Sequence, residues 1–108
     1  MPLSTLNFEK GNRKEGKRLE QWVLKGKKTS TSQVHEYGKK GDIFLIQGVK
    51  FRIISVKRMT LKQTFQKNYK KEGCKTPKEF EKIWMKFHKY QDEWPLNTRV
   101  YVYSFKRT

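Results

Sequence analysis

The sequence predicts an α+β domain, and three observations carry that expectation. Apolar positions recur at helical spacing in three segments and run continuously or alternate at period two in the others. Two of the helical segments follow each other directly, each with its own start signal. The resulting order, β-α-β-β-β-α-α-β, groups helices instead of alternating them with strands, which points to an antiparallel or mixed sheet. A chain of 108 residues is one domain's worth. With few strands and strong twist, a small β-barrel of about five strands flanked by three helices is expected. The domain spans 1–108, with flexible ends at 1–5 and 106–108.

Each element has a local cause. Leu6-Asn7-Phe8 is a short extended piece. Over 15–25, Leu19, Trp22 and Val23 recur at i, i+3 and i+4, so a helix is expected, and Gly26 suits a left-handed stop. Residues 29–34 are β-prone but polar, which predicts a half-exposed strand. Gly38-Lys39-Lys40-Gly41-Asp42 is turn chemistry. Ile43-Phe44-Leu45-Ile46 is a continuous apolar run, the pattern of a strand buried on both faces. Gln47-Gly48-Val49-Lys50 turns the chain and residues 51–56 form the return strand. Thr60-Leu61-Lys62-Gln63 reads as a capping box, with Leu61, Phe65 and Tyr69 behind it and Gly73 as the stop. Thr76-Pro77-Lys78-Glu79 opens the last helix. Its Phe80, Ile83, Trp84 and Phe87 form a core stripe, while Lys78, Lys82, Lys86 and Lys89 fall opposite. That lysine row is either a solvated face or part of an anion footprint. Residues 91–97 form a loop carrying Trp94 and Pro95. Over 99–105, Tyr101, Tyr103 and Phe105 alternate with Val100, Val102 and Ser104. Both sides are apolar, so this strand belongs inside the sheet.

Charge is the loudest compositional signal. Lys and Arg number 26 against 10 Asp and Glu, a net charge of +16. Such a surplus repels itself in the compact state, and a polyanion relieves the repulsion. Nucleic acid is the commonest such partner, with an anionic membrane surface second. Lys outnumbers Arg by 20 to 6, which favours attraction to the phosphate backbone over bidentate base readout. Eight basic residues lie between Lys10 and Lys28, and six between Lys57 and Lys71 with no acid among them. The 14% aromatic content argues against a disordered chain. No apolar run is long enough to span a membrane, and no signal-peptide core opens the chain. A single cysteine, Cys74, neither staples the fold nor builds a cysteine-based zinc site. A cytoplasmic monomer without cofactor or metal is expected.

No zinc spacing, phosphate loop or dinucleotide fingerprint is present. His35 and His88 lie in separate segments and read as ordinary side chains. The stretch Leu24-Lys25-Gly26-Lys27-Lys28-Thr29-Ser30-Thr31-Ser32-Gln33 differs from the rest. It sets lysines directly after a helix stop and follows them with four hydroxyl residues. A lysine beside another cation can act as a base, and a threonine hydroxyl in its reach as a nucleophile. A polar edge strand with solvated lysines is the competing reading.

Gly26-Lys27-Lys28-Thr29-x-Thr31, followed by Gly41-Asp42-Ile43 opening a buried strand, resembles the ASCH domain of the PUA-like superfamily. Val56-Lys57-Arg58, Glu72-Gly73 ahead of Thr76-Pro77-Lys78-Glu79-Phe80, Trp84, and the closing strand over 100–105 sit where that family puts them. The resemblance implies a PUA-like barrel with a cleft between barrel and helices that takes RNA. It also implies, for one bacterial branch, hydrolysis of the acetyl amide of N(4)-acetylcytidine. Carried over, the roles fall on Thr31 as nucleophile, Lys28 as its base and Glu72 as proton relay. Gln33 departs from the arginine often found two residues beyond that threonine; it can hydrogen-bond a base edge but carries no charge.

Three readings follow. In the first, the chain is an RNA-binding module for single-stranded RNA or a modified nucleoside. Lys27, Lys28, Lys39, Lys40, Lys57, Arg58 and Lys62 attract the backbone, Thr31 and Gln33 line the cleft, and Tyr37 or Trp94 stacks on an unpaired base. The second is an amidohydrolase or RNA hydrolase using Lys28, Thr31 and Glu72. The third is a protein-interaction domain with incidental charge.

Overall fold

The computed structural model describes residue 8, residues 12–88 and residues 94–108. Its elements run α1 (Arg13–Leu24), β1 (Ser30–Gln33), β2 (Ile43–Ile46), β3 (Val49–Thr60), α2 (Leu61–Lys67), α3 (Pro77–Phe87) and β4 (Arg99–Arg107). The strands form one antiparallel sheet in the order β1-β4-β3-β2. The sheet curls into a half-barrel, and the helices flank it. Four strands are present among the described residues, against about five expected. The extended piece at 6–8 lies outside them except for Phe8, a buried bend, and so do Lys89 and residues 91–93 of the expected loop.

Local chemistry explains the elements. Asn12, Thr60 and Thr76 each cap a helix by accepting from the amide three residues on, and Thr60 and Gln63 complete a reciprocal capping box. The β2–β3 hairpin turns on Gln47 and Gly48, both at positive φ, as a two-residue turn with matching twist requires. β4, apolar on both sides, lies between β1 and β3. Phe44, Phe51 and Phe105 pack edge and face around one another, and Phe8 joins them. Leu19 and Val23 of α1, Leu61 and Phe65 of α2, and Phe80, Ile83 and Trp84 of α3 close over this sheet.

Several expectations are corrected. β2 is an edge strand and is not buried on both faces throughout: Ile43 is buried, but Leu45, two residues on and on the same face, is exposed. β3 continues past 56 to Thr60 and passes directly into α2. It gains one residue at a bulge, since Ile53 pairs with Phe105 but Ser55 with Ser104, leaving Ile54 over. β4 runs on to Arg107, where it pairs with Phe51. α2 stops at its cap Asn68, and residues 69–73 turn instead of continuing the helix. The polar strand β1 is buried at Ser30, Thr31 and Ser32, not half-exposed. No helix among the described residues is long and apolar enough to cross a membrane.

One contact ties the end of α1 to the turn after α2. The Trp22 carbonyl accepts the amides of Lys27 and Lys28 at 2.9 and 3.1 Å. The Trp22 ring lies against Gly73, whose φ is +93°. A Cβ there would sit 2.7 Å from Trp22 Cε3. The Lys71 carbonyl accepts from Thr29 and Ser30, so residues 27–30 are fastened along residues 71–73. Gly73→Ala is therefore expected to destabilise the fold by about 2–4 kcal/mol, combining left-handed strain with the clash. Gly48→Ala, also left-handed but with open space around its Cβ, should cost only about 1–2 kcal/mol. Urea denaturation of both variants measures the difference; equal losses would remove the steric role assigned to Gly73.

Candidate functional site

A cavity of about 590 Å³ lies between β1 and the helical layer, within the size range of small-ligand sites. Its wall is apolar and aromatic: Phe8, Leu19, Phe80, Ile83, Trp84 and Phe87. Its polar end is made by Lys28, Thr31, Ser32, Gln33 and Glu72.

The polar end is built from three segments. Lys28 precedes β1, where the chain is still leaving the turn held by Trp22, and its side chain is 3% exposed. Its Nζ donates to Glu72 Oε1 at 2.8 Å; Glu72 is 2% exposed. The other carboxylate oxygen accepts from Ser32 Oγ and from Asn68 Nδ2, the latter at 2.8 Å. Asn68 also donates to Ser30 Oγ at 3.1 Å. Ser30 and Ser32, two apart on a strand, share the face turned to Asn68 and Glu72. This network accounts for the burial of the strand's two serines: their hydroxyls are satisfied by Asn68, the cap of α2, and by Glu72 in the turn after it.

Of the residues that sequence reasoning singled out, Lys28, Thr31, Glu72, Gln33 and Tyr37 line this cavity. Thr31 alternates with the two serines, and its Oγ1 accepts a long 3.5 Å contact from Gln33 Nε2. The hydroxyl that reaches Glu72 is Ser32's. Tyr37 is held by its amide, which donates to the buried Tyr103 hydroxyl at 2.7 Å. Lys27, Lys39, Lys40, Lys57, Arg58, Lys62 and Trp94 do not line the cavity. Lys27 lies 4.0 Å over the Trp22 ring and Arg58 4.0 Å over Tyr101. Trp94 packs edge-on against Trp84 and His88 and donates to the His88 carbonyl.

Sequence reasoning left Ser32 and Asn68 out of the site, read Lys86 as solvated face or anion footprint, and read His88 as an ordinary side chain. The two-residue spacing of Ser30 and Ser32 is the signal that could have marked Ser32. Asn68 could have been found four residues ahead of Glu72. His88 stacks on Trp84 with ring centroids 3.8 Å apart. Its Nδ1 lies 2.8 Å from the Trp84 carbonyl, an acceptor only, so that nitrogen carries the proton. Burial holds this imidazole below its ordinary 6.5, opposed by the bond to Trp84. The indole Nε1 of Trp84 is a buried donor without a hydrogen-bond partner among the described residues.

Chemically, the site offers a carboxylate already accepting from a hydroxyl and held by an ammonium. That carboxylate can take a proton from an attacking oxygen and return it to a leaving group. Cys74 also lines the cavity, but burial, with Glu79 adding, pushes its thiol up to about 11. It is a protonated thiol at neutral pH and no nucleophile. Among the described residues no group of three or more His, Cys, Asp or Glu side chains is placed to hold a metal ion.

The fold is that of an ASCH domain. An ASCH domain from Lactobacillus crispatus JV V101 superposes with a TM-score of 0.71 at 14% identity, covering 87% of this chain and 72% of that one. A protein of Enterococcus faecalis V583 placed in the family DUF984 follows at 0.68 and 23% identity, covering 91% and 71%. A third, a hypothetical protein, gives 0.65 at 19% identity, covering 84% and 92%. No protein-family model matches the sequence, and no curated protein does.

Two stability experiments probe the site. Glu72→Gln leaves the Lys28 ammonium buried without a counter-charge and should cost about 3–5 kcal/mol. Adding Lys28→Met should recover at least half of that loss in urea denaturation; no recovery would mean the two charges are not coupled. The second concerns pH. Folded His88 titrates below the unfolded value of 6.5, so the unfolded chain binds more protons as pH falls through that value. Stability is therefore fully present above about pH 6.5 and declines below it. His88→Gln should flatten this part of the stability–pH curve, and an unchanged slope would assign it elsewhere.

Proposed function

We propose that this chain is an RNA-binding domain that admits one unpaired nucleoside, plain or modified, into its cavity. The observation that carries the reading is the cavity itself. An aromatic and aliphatic wall suited to a planar base faces a polar end made by Lys28, Thr31, Ser32, Gln33 and Glu72, in a chain of net charge +16. Single-stranded RNA is gripped in this way: the base is taken out of its stack and read at its edge, while cations hold the backbone. Tyr37 and Gln33, which line the cavity, contact the base in this reading. Lys27, Lys39, Lys40, Lys57, Arg58 and Lys62, outside the cavity, supply attraction to phosphates. The likeness to an ASCH domain supports the reading.

One observation favours a second reading, hydrolysis of an acyl amide such as that of N(4)-acetylcytidine. Glu72 accepts from both an ammonium and a hydroxyl. In that reading a hydroxyl oxygen attacks the acyl carbonyl, its proton passes to Glu72 through Lys28, and the leaving amine takes that proton back from Glu72 as its C–N bond breaks. Water then hydrolyses the ester. Thr31 is the nucleophile that the family resemblance implies.

Two assays separate the readings. Labelled single-stranded RNA should bind better than duplex, with affinity falling about tenfold or more between 50 and 200 mM salt; salt-insensitive or absent binding sinks the RNA reading. N(4)-acetylcytidine is then incubated with wild type, Lys28→Ala, Thr31→Ala and Glu72→Ala. Turnover lost by about a hundredfold or more in each variant supports the hydrolase. No turnover by a wild type that binds RNA leaves the binding module alone.

A further inference from the structure

The cations flanking the cavity are not distributed evenly. Lys78, Lys82 and Lys86 are exposed and sit at four-residue spacing along α3, opposite the core residues Phe80, Ile83 and Trp84. Each step advances about 6 Å along the helix axis, near the spacing of successive phosphates in an extended single strand. Lys86 lines the deep cavity. It also lines a shallow groove on the outside of α3, together with Lys78, Glu81, Lys82 and Met85. The two concavities therefore meet at Lys86.

The rim at that meeting point is organised. Glu15 of α1 accepts from Arg18 through one carboxylate oxygen and from Lys86 through the other, both at 3.3 Å. One acid is thus shared by two cations, and Lys86 is held at the cavity edge. Among the residues that line the groove, three lysines accompany one acid, Glu81, and Lys86 is also paired with Glu15 at the rim. By contrast, Lys57, Arg58 and Lys62 line neither concavity.

We infer that the outer face of α3 is the phosphate track for a single-stranded polynucleotide whose base occupies the cavity. Lys86 takes the phosphate at the mouth, and Lys82 and Lys78 take those that follow. The track rests on the RNA-binding reading above and deepens it. The preferred ligand is a strand several nucleotides long, not a free nucleoside; its backbone leaves over α3, and the cations of β3 attract it from a distance without contacting it.

The test uses Lys78→Gln/Lys82→Gln, both outside the cavity, so that a loss cannot come from the base site. Affinity for labelled oligouridine is measured by fluorescence anisotropy across a salt series, with circular dichroism as the check on folding. The slope of log affinity against log salt should shrink by about 1.4, at about 0.7 per phosphate contact. The control Lys50→Gln/Lys106→Gln removes equal charge from residues that line neither concavity, and its slope should shrink by less than about 0.5. A wild type that binds but whose α3 variant keeps the full slope overturns the track and spares the RNA reading. A control pair that loses as much as the α3 pair does the same. A wild type that binds no oligouridine at low salt overturns both. Phosphatidylserine vesicles that bind more tightly than RNA, with the same dependence on Lys78 and Lys82, overturn the assignment to a polynucleotide.

Discussion

The site depends on a close approach of backbone to ring at Gly73. Only a residue without a Cβ lets the turn after α2 lie against Trp22, and the Trp22 carbonyl in turn gathers the amides of Lys27 and Lys28. With that contact in place, Lys28 and Glu72, 44 positions apart in sequence, meet at 2.8 Å. Without it, the chain would need another device to hold residues 27–30 along residues 71–73. Cavity, polar end and edge strand all inherit their geometry from this seam.

The network around Glu72 is a poor way to gain stability. Two buried charges give up hydration that their mutual attraction only partly returns, and a well-packed apolar substitute does as well or better. What the arrangement provides is fixed direction. Lys28, Ser32 and Asn68 occupy both carboxylate oxygens, so the carboxylate cannot rotate without breaking a charge-assisted bond. A rigid acid at the polar end of a cavity with an apolar and aromatic wall is the feature most difficult to explain by folding alone. It is also what makes the site more than a gap between sheet and helices.

How much of this the sequence displayed depended on whether the cause was local. The caps at Thr60 and Thr76, the β2–β3 hairpin and the interior position of β4 are written in adjacent residues, and the structure bears them out, though the turn takes only Gln47 and Gly48 of the four residues expected and the return strand starts at Val49. Ser30, Thr31 and Ser32 read as a half-exposed edge because their partners, Asn68 and Glu72, come from the other half of the chain. Leu45 read as buried because an apolar run does not say how far each face of the strand is covered. The bulge at Ile54 has no signature in composition at all. At the site, Lys28, Thr31 and Glu72 came from resemblance, not from physics. Ser32 was within reach of period-two reasoning, because a strand with one hydroxyl face must turn that face to something polar.

The distribution of charge bears on what kind of ligand the cavity serves. Lys28 is cancelled by Glu72, so the deep end of the cavity adds no net attraction for an anion. The cations free to attract a ligand among the described residues, in a chain of net charge +16, therefore lie outside that deep end, where the phosphates of a polymer can reach them and an uncharged nucleoside cannot draw on them. A free nucleoside would gain nothing from so many surface lysines, while the molecule bears the self-repulsion they bring. A polymer separates the two demands. Its backbone draws on the outer cations in a salt-dependent way, and its base draws on stacking and hydrogen bonds inside, where screening is weak. The pairing of a neutral, well-ordered interior with a strongly cationic exterior is thus better matched to a strand that inserts one base than to a small molecule that enters whole.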